Sequence, residues 1–143
     1  MRSYLFPLLL ALPLSIYSQS QLQTGSLKID SRLYEVYEKD YLEKTAIEDP
    51  FLIQRWNFYL DNAFIITDNA LSKNETAADY PSVSIPDLKQ INILKLEKEQ
   101  KLNHDFYSET VYKIAKTNQY LVYLAGKDFV EKLNVYLNKT KDK

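Results

Sequence analysis

The chain has 143 residues, a formal net charge of −1, no cysteine, one histidine and two glycines. Without cysteine there is no thiol nucleophile, thiolate metal site or disulfide framework, and a single histidine excludes a two-histidine zinc motif. The scarcity of glycine leaves no glycine-rich phosphate loop, and lysines interspersed with acids form no basic stripe for nucleic acid.

The first 20 residues, MRSYLFPLLLALPLSIYSQS, read as a secretory signal peptide: Arg2, an apolar run from Tyr4 to Tyr17, then the small residues Ser18 and Ser20. A run of about 14 residues at ~1.5 Å rise covers only ~21 Å, short of the ~30 Å hydrocarbon core of a bilayer. Pro7 and Pro13 weaken it further as a spanning helix. No later segment is long or apolar enough to cross, so the expected location is periplasmic or secreted. Residues 21–29 read as a polar leader, and residues 30–143 as a single domain.

Asp30 or Ser31 can cap a helix running to about Glu48, with Leu33, Val36, Tyr37 and Tyr41 on its apolar face. Tyr34, Tyr37 and Tyr41 at this spacing form the rim of a core more readily than a sugar or peptide platform. Asp49 followed by Pro50 marks a second start, since proline at the first helical position loses no needed N–H. The apolar pattern through Leu52, Ile53, Trp56, Leu60 and Phe64 predicts a central helix to about Asp68.

A narrow polar stripe crosses that second helix at Gln54, Asn57, Asp61 and Asp68. Seven helical positions place Asp61 and Asp68 about 10 Å apart along the axis. Two ligands of one ion, at ~2–2.6 Å each, must lie much closer. The stripe therefore reads as helix surface, with Asn57 and Asp61 as binding candidates if neighbours seal it. Arg55, beside Trp56, is a candidate anchor for an acidic ligand.

Residues 69–87, NALSKNETAADYPSVSIPD, are rich in turn formers and predict a long connection containing Tyr80. Val83-Ser84-Ile85 can form a brief edge strand. INILKL (91–96) alternates as a strand, with a helix through Leu88, Ile91 and Leu94 as competitor. Val111–Ala115 and Gln119–Leu124 are β-branched and aromatic around KTN, a hairpin pattern. Gly126 then breaks the run before a final helix carrying Phe129, Val130, Leu133, Tyr136 and Leu137. Helices and strands segregate, so the expected class is α+β: two N-terminal helices, a small antiparallel sheet of about three strands, and one C-terminal helix.

No motif for catalysis, metal or cofactor emerges. A serine triad would need His104 as its base, with Asp105, Ser108 and Glu109 nearby, but closeness in sequence does not supply triad geometry. His104 is retained as a binding candidate on a polar loop. Glu97 and Glu99 would share one face of a strand and decorate solvated surface.

The signal ending YSQSQ, the abundance of Lys, Asn, Ile and Tyr, and the segments RWNFYLDNAFIITD and TNQYLVYLAGKDFVEKLN resemble small exported proteins of Bacteroidota. The resemblance implies an envelope or periplasmic setting and no particular activity, cofactor or catalytic residue. The expected function is an exported, non-enzymatic domain binding another protein or envelope component, with the tyrosine-rich surface and the 70–87 loop as contact candidates. The alternatives are a small carboxylate-dependent envelope hydrolase using Asp61 with a second acid, and a structural or inhibitor domain.

Overall fold

Leu33 and Leu42 are both fully buried, yet nine residues apart on one continuous α-helix they would face opposite ways. The chain resolves this by breaking. In the computed structural model, which describes residues 27–68 and 80–141, Ser31–Glu35 forms a short 3₁₀ helix and Glu38 adopts an extended conformation before α1, Lys39–Glu48. The single helix expected from residue 30 is thus two pieces, each turned to bury its leucine. The expected signal peptide and residues 69–79 of the expected loop lie outside the described residues.

Helix α2, Pro50–Asn62, starts as its residues predict: the Asp49 carboxylate accepts the Leu52 amide at 3.2 Å, with Pro50 at the first position. Ile53 and Leu60, two turns apart, carry its buried face. The helix stops at Asn62 instead of running to Asp68, and Phe64–Thr67 becomes strand β1. Period 2 wins here because Ile65, Ile66 and Thr67 are β-branched and have a strand to pair with. Phe64 and Ile66 turn to the core, while Ile65 remains 47% exposed.

Ser82–Val83 is a two-residue edge strand, β2. The strand expected at 91–96 is instead helix α3, Ile93–Gln100. Asn92 decides this locally, its side chain accepting the Lys95 amide at 3.2 Å, and Ile93 and Leu96 bury one helical face. Lys101, in the left-handed region at φ 54°, ends it. Strands β3, Thr110–Ile114, and β4, Tyr120–Tyr123, form the expected hairpin, with Lys113 opposite Tyr120. Its turn carries Lys116 at φ 61° and is pinned by Thr117, whose hydroxyl donates to the Ile114 carbonyl at 3.0 Å. Helix α4 spans Gly126–Lys141.

The four strands lie in the order β1-β4-β3-β2. β1 and β3 flank β4 antiparallel, whereas β2 runs parallel to β3, so the sheet is mixed. All four residues of β4 are buried, as its central place requires. Tyr112, Ile114, Leu121 and Tyr123 project from one sheet face into a core closed by Leu33, Leu42, Ile53, Leu60, Ile93 and Leu96 of the helices. The architecture is α+β, with a helix more than expected and a fourth strand.

Candidate functional site

The polar stripe of α2 is a seam. Asn57 Oδ1 accepts the Asp30 amide at 3.0 Å, and its Nδ2 donates to the Lys28 carbonyl at 2.6 Å. Arg32 reaches the same place: Nη2 lies 2.8 Å from both Asp30 Oδ2 and Asp61 Oδ1, and Nη1 donates to the Ile91 carbonyl at 3.2 Å. Asn92 Nδ2 completes the tie by donating to the Arg32 carbonyl at 2.8 Å. The Arg32 hydrogen bonds hold the Asp30 carboxyl below its usual range, and Asp30 in turn keeps the guanidinium protonated. Three segments remote in sequence are stitched by groups that satisfy one another. Residues 27–29, expected as loose leader, are part of this assembly, with Leu27 and Ile29 packed against the core.

Asp61 is therefore committed to Arg32, and Asp68 lies beyond β1, not farther along the same helix. Among the described residues no group of three or more His, Asp or Glu side chains converges as metal ligands would. Glu97 and Glu99, expected on one face of a strand, diverge on α3. Glu97 accepts the Tyr59 hydroxyl at 2.6 Å, while Glu99 borders a cleft with Glu35 and Lys95. Tyr80 packs edge-on against Tyr120 at 5.8 Å, with Lys113 Nζ 4.4 Å from the Tyr120 ring centroid.

The triad constellation does not assemble. The Ser108 hydroxyl donates to Asp105 at 3.1 Å, and the same carboxylate accepts the Tyr107 and Ser108 amides at 2.7 and 2.9 Å. These contacts, the Tyr107 amide foremost, hold the Asp105 carboxyl below its usual range. It is a turn clasp. His104 stacks on Tyr123 instead, with centroids 5.5 Å apart and rings 20° from parallel.

Arg55 and His104, remote in sequence, do meet. They border a groove of about 370 Å³ whose walls come from α2 (Leu52, Trp56, Tyr59), α3 (Leu94), Phe106 and α4 (Phe129, Val130, Leu133). Trp56 is held by stacking on Tyr37 at 4.7 Å, and Phe129 meets Tyr59 edge-on at 5.2 Å. The loop reaches this position because Asp105 and Phe106 carbonyls cap α4, accepting the Gly126 and Lys127 amides at 3.0 Å each. Glycine permits the close approach: a Cβ on Gly126 would stand 2.7 Å from Phe106 Cδ2 and push that ring aside.

Beneath the groove the Tyr59 hydroxyl is pushed far above its ordinary pKa by burial and by Glu97. Tyr123 is shifted the same way, burial again leading, with the Glu97 charge opposing its ionisation. Its hydroxyl is buried and makes no hydrogen bond of ordinary geometry. The groove rim differs from this floor in having free donors. Arg55 has no ion pair or hydrogen bond among the described residues, and no acid lines the groove.

The groove continues into an apolar strip on α4. Phe58 links the two, lying 5.7 Å from Phe129 and stacking on Tyr136 at 4.7 Å. Val130, Val135 and Tyr136 remain 44%, 49% and 37% exposed, and Phe106 53%. Arg55 and His104 stand out as candidates in the sequence, whereas Tyr59, Leu94, Phe106 and the outer side of α4 do not. The available signal was an apolar face on α4 wider than packing on one neighbour requires. No protein-family model, curated protein or solved structure matches this chain.

Proposed function

We propose that this chain is an exported, non-enzymatic domain that binds another protein through the aromatic groove and the adjoining strip of α4. One observation carries the reading: Phe106, Val130, Val135 and Tyr136 stay substantially exposed around a groove with apolar walls. Clustered exposed apolar groups are costly in water and mark interaction surfaces in soluble domains. The N-terminal Arg2, apolar run and small residues support export. Of the expected binding candidates, Arg55 and His104 border this groove, and Asn57 and Asp61 lie beside Phe58 and Tyr136 at the far end of the strip. A carboxylate-dependent hydrolase has less support, because Asp61 and Asp30 are both occupied by Arg32. An inhibitor domain would use this same surface and differ only in blocking the enzyme it holds.

The test places a photo-crosslinking benzoylphenylalanine at position 130 or 135, with a control at the exposed Glu43 of α1, in cells that produce and export the protein. Support requires adducts to one identified protein from 130 and 135 alone. That protein must bind the purified domain, and Val130→Glu must weaken the complex by about tenfold or more. Absence of adducts at 130 and 135, or unaltered binding by Val130→Glu, refutes the reading.

A further inference from the structure

We infer that the groove recognises a segment of the partner polypeptide in which a large apolar side chain stands next to a carboxylate, the acid being taken by Arg55. This rests on the proposal that the groove is the partner-binding surface. The apolar half of the requirement follows from the walls, where Leu52, Trp56, Leu94, Phe129 and Val130 form a cleft of about 370 Å³. That volume suits one or two side chains and not a folded element.

The acidic half follows from the charge of the rim. The polar groups that reach it, the Arg55 guanidinium, the Trp56 indole N–H and the His104 ring, have no hydrogen-bond partner within the described protein, and no carboxylate lines the cleft. Lys98, one turn beyond Leu94 on α3, has no ion pair either. Glu97 is engaged by the hydroxyl of the groove residue Tyr59. Elsewhere Arg32 is matched with acids, so Arg55 is a cation left unmatched at the mouth of an apolar cleft. Guanidinium forks pair bidentately with carboxylates, and the apolar wall beside Arg55 limits the water that would screen such a pair. A basic or neutral polar segment would leave that charge unused.

The experiment uses two synthetic peptides, acetyl-Gly-Leu-Phe-Asp-Gly-amide and its Asn counterpart, which differ in charge and hardly in shape. Trp56 is the only tryptophan in the chain and lines the groove, so its emission reports binding directly. The Asp peptide is expected to bind about fivefold tighter at low ionic strength, the scale of a partly exposed ion pair. The preference should shrink in ~0.5 M salt, vanish in Arg55→Gln and persist in part in Arg55→Lys. Equal binding of the two peptides, or a preference that survives Arg55→Gln, overturns the inference. If neither peptide binds while the crosslinked partner still depends on Val130, the inference fails and the partner-binding surface stands.

Discussion

Replacing Asn57 by Ala tests how the segment before the 3₁₀ helix is fastened to α2. The side chain makes two bonds to it, one from the Asp30 amide at 3.0 Å and one to the Lys28 carbonyl at 2.6 Å. The Asp30 amide sits in a partly buried seam, so losing its acceptor costs about 1–1.5 kcal/mol; the Lys28 carbonyl is exposed and water replaces its donor at ~0.5 kcal/mol. Together Asn57→Ala should cost about 2 kcal/mol. Asp61→Ala should cost no more than ~0.5 kcal/mol, because Asp61 is 63% exposed and Arg32 keeps Asp30. In urea titrations with a slope of ~2 kcal/mol per M, the first moves the midpoint by about 1 M and the second hardly at all. Amide hydrogen exchange should quicken at Asp30 and Leu33 in Asn57→Ala alone. Equal midpoints for the two variants would refute the claim that Asn57 clamps residues 28–30.

The two tyrosines under the groove should respond oppositely to loss of their hydroxyls. Tyr59→Phe removes a 2.6 Å bond to Glu97 and should lower stability by about 1–2 kcal/mol. Tyr123→Phe removes a buried hydroxyl that makes no hydrogen bond of ordinary geometry and should be neutral or stabilising by up to ~1 kcal/mol in thermal melts; destabilisation would show that the hydroxyl is bonded. Both phenols have a folded pKa raised by burial and Glu97, so their contribution is complete below the ordinary tyrosine value of ~10 and is lost as pH rises above it. Unfolding midpoints should fall as pH rises above about 10, and this fall should flatten in the double Phe variant; an unchanged alkaline slope would count against this origin. Gly126→Ala meets Phe106 Cδ2 at 2.7 Å and its Cα at 3.1 Å with no left-handed backbone to strain. It should displace Phe106, alter Trp56 emission and cost about 1 kcal/mol net, whereas a gain of that size, the usual result of Gly→Ala in a helix, would refute the crowding.

Local chemistry made some elements readable. Asp49-Pro50 announces α2, KTN between two β-branched runs announces the hairpin, and Gly126 marks the start of α4. Ambiguity arose where one apolar run fits two periods. Phe58 to Ile66 continues a helical face on paper, and only pairing with β4 makes residues 64–67 a strand. Ile91 and Ile93 alternate, yet the Asn92 cap and the burial of Leu96 favour the helix. The stripe on α2 was visible, but its partners Lys28, Asp30 and Arg32 are a fold away, so its structural duty was not. Arg55 and His104 were each singled out for their own chemistry. That they share a groove depends on α3 and α4 closing around α2, which no local pattern encodes.

The mixed sheet has a bearing on how the chain acquires its shape. The β3–β4 ribbon closes through a tight turn and can assemble early, in microseconds. Its two flanks recruit material from far upstream: Phe64 must find Tyr123 across about half of the domain, and β2 joins in parallel only after a crossover through α3. Each recruitment spends loop entropy before any contact rewards it. On that basis the capture of β1 is the expected slow step, and in stopped-flow refolding substitutions at Ile66 or Leu121 should retard it more than those in α4.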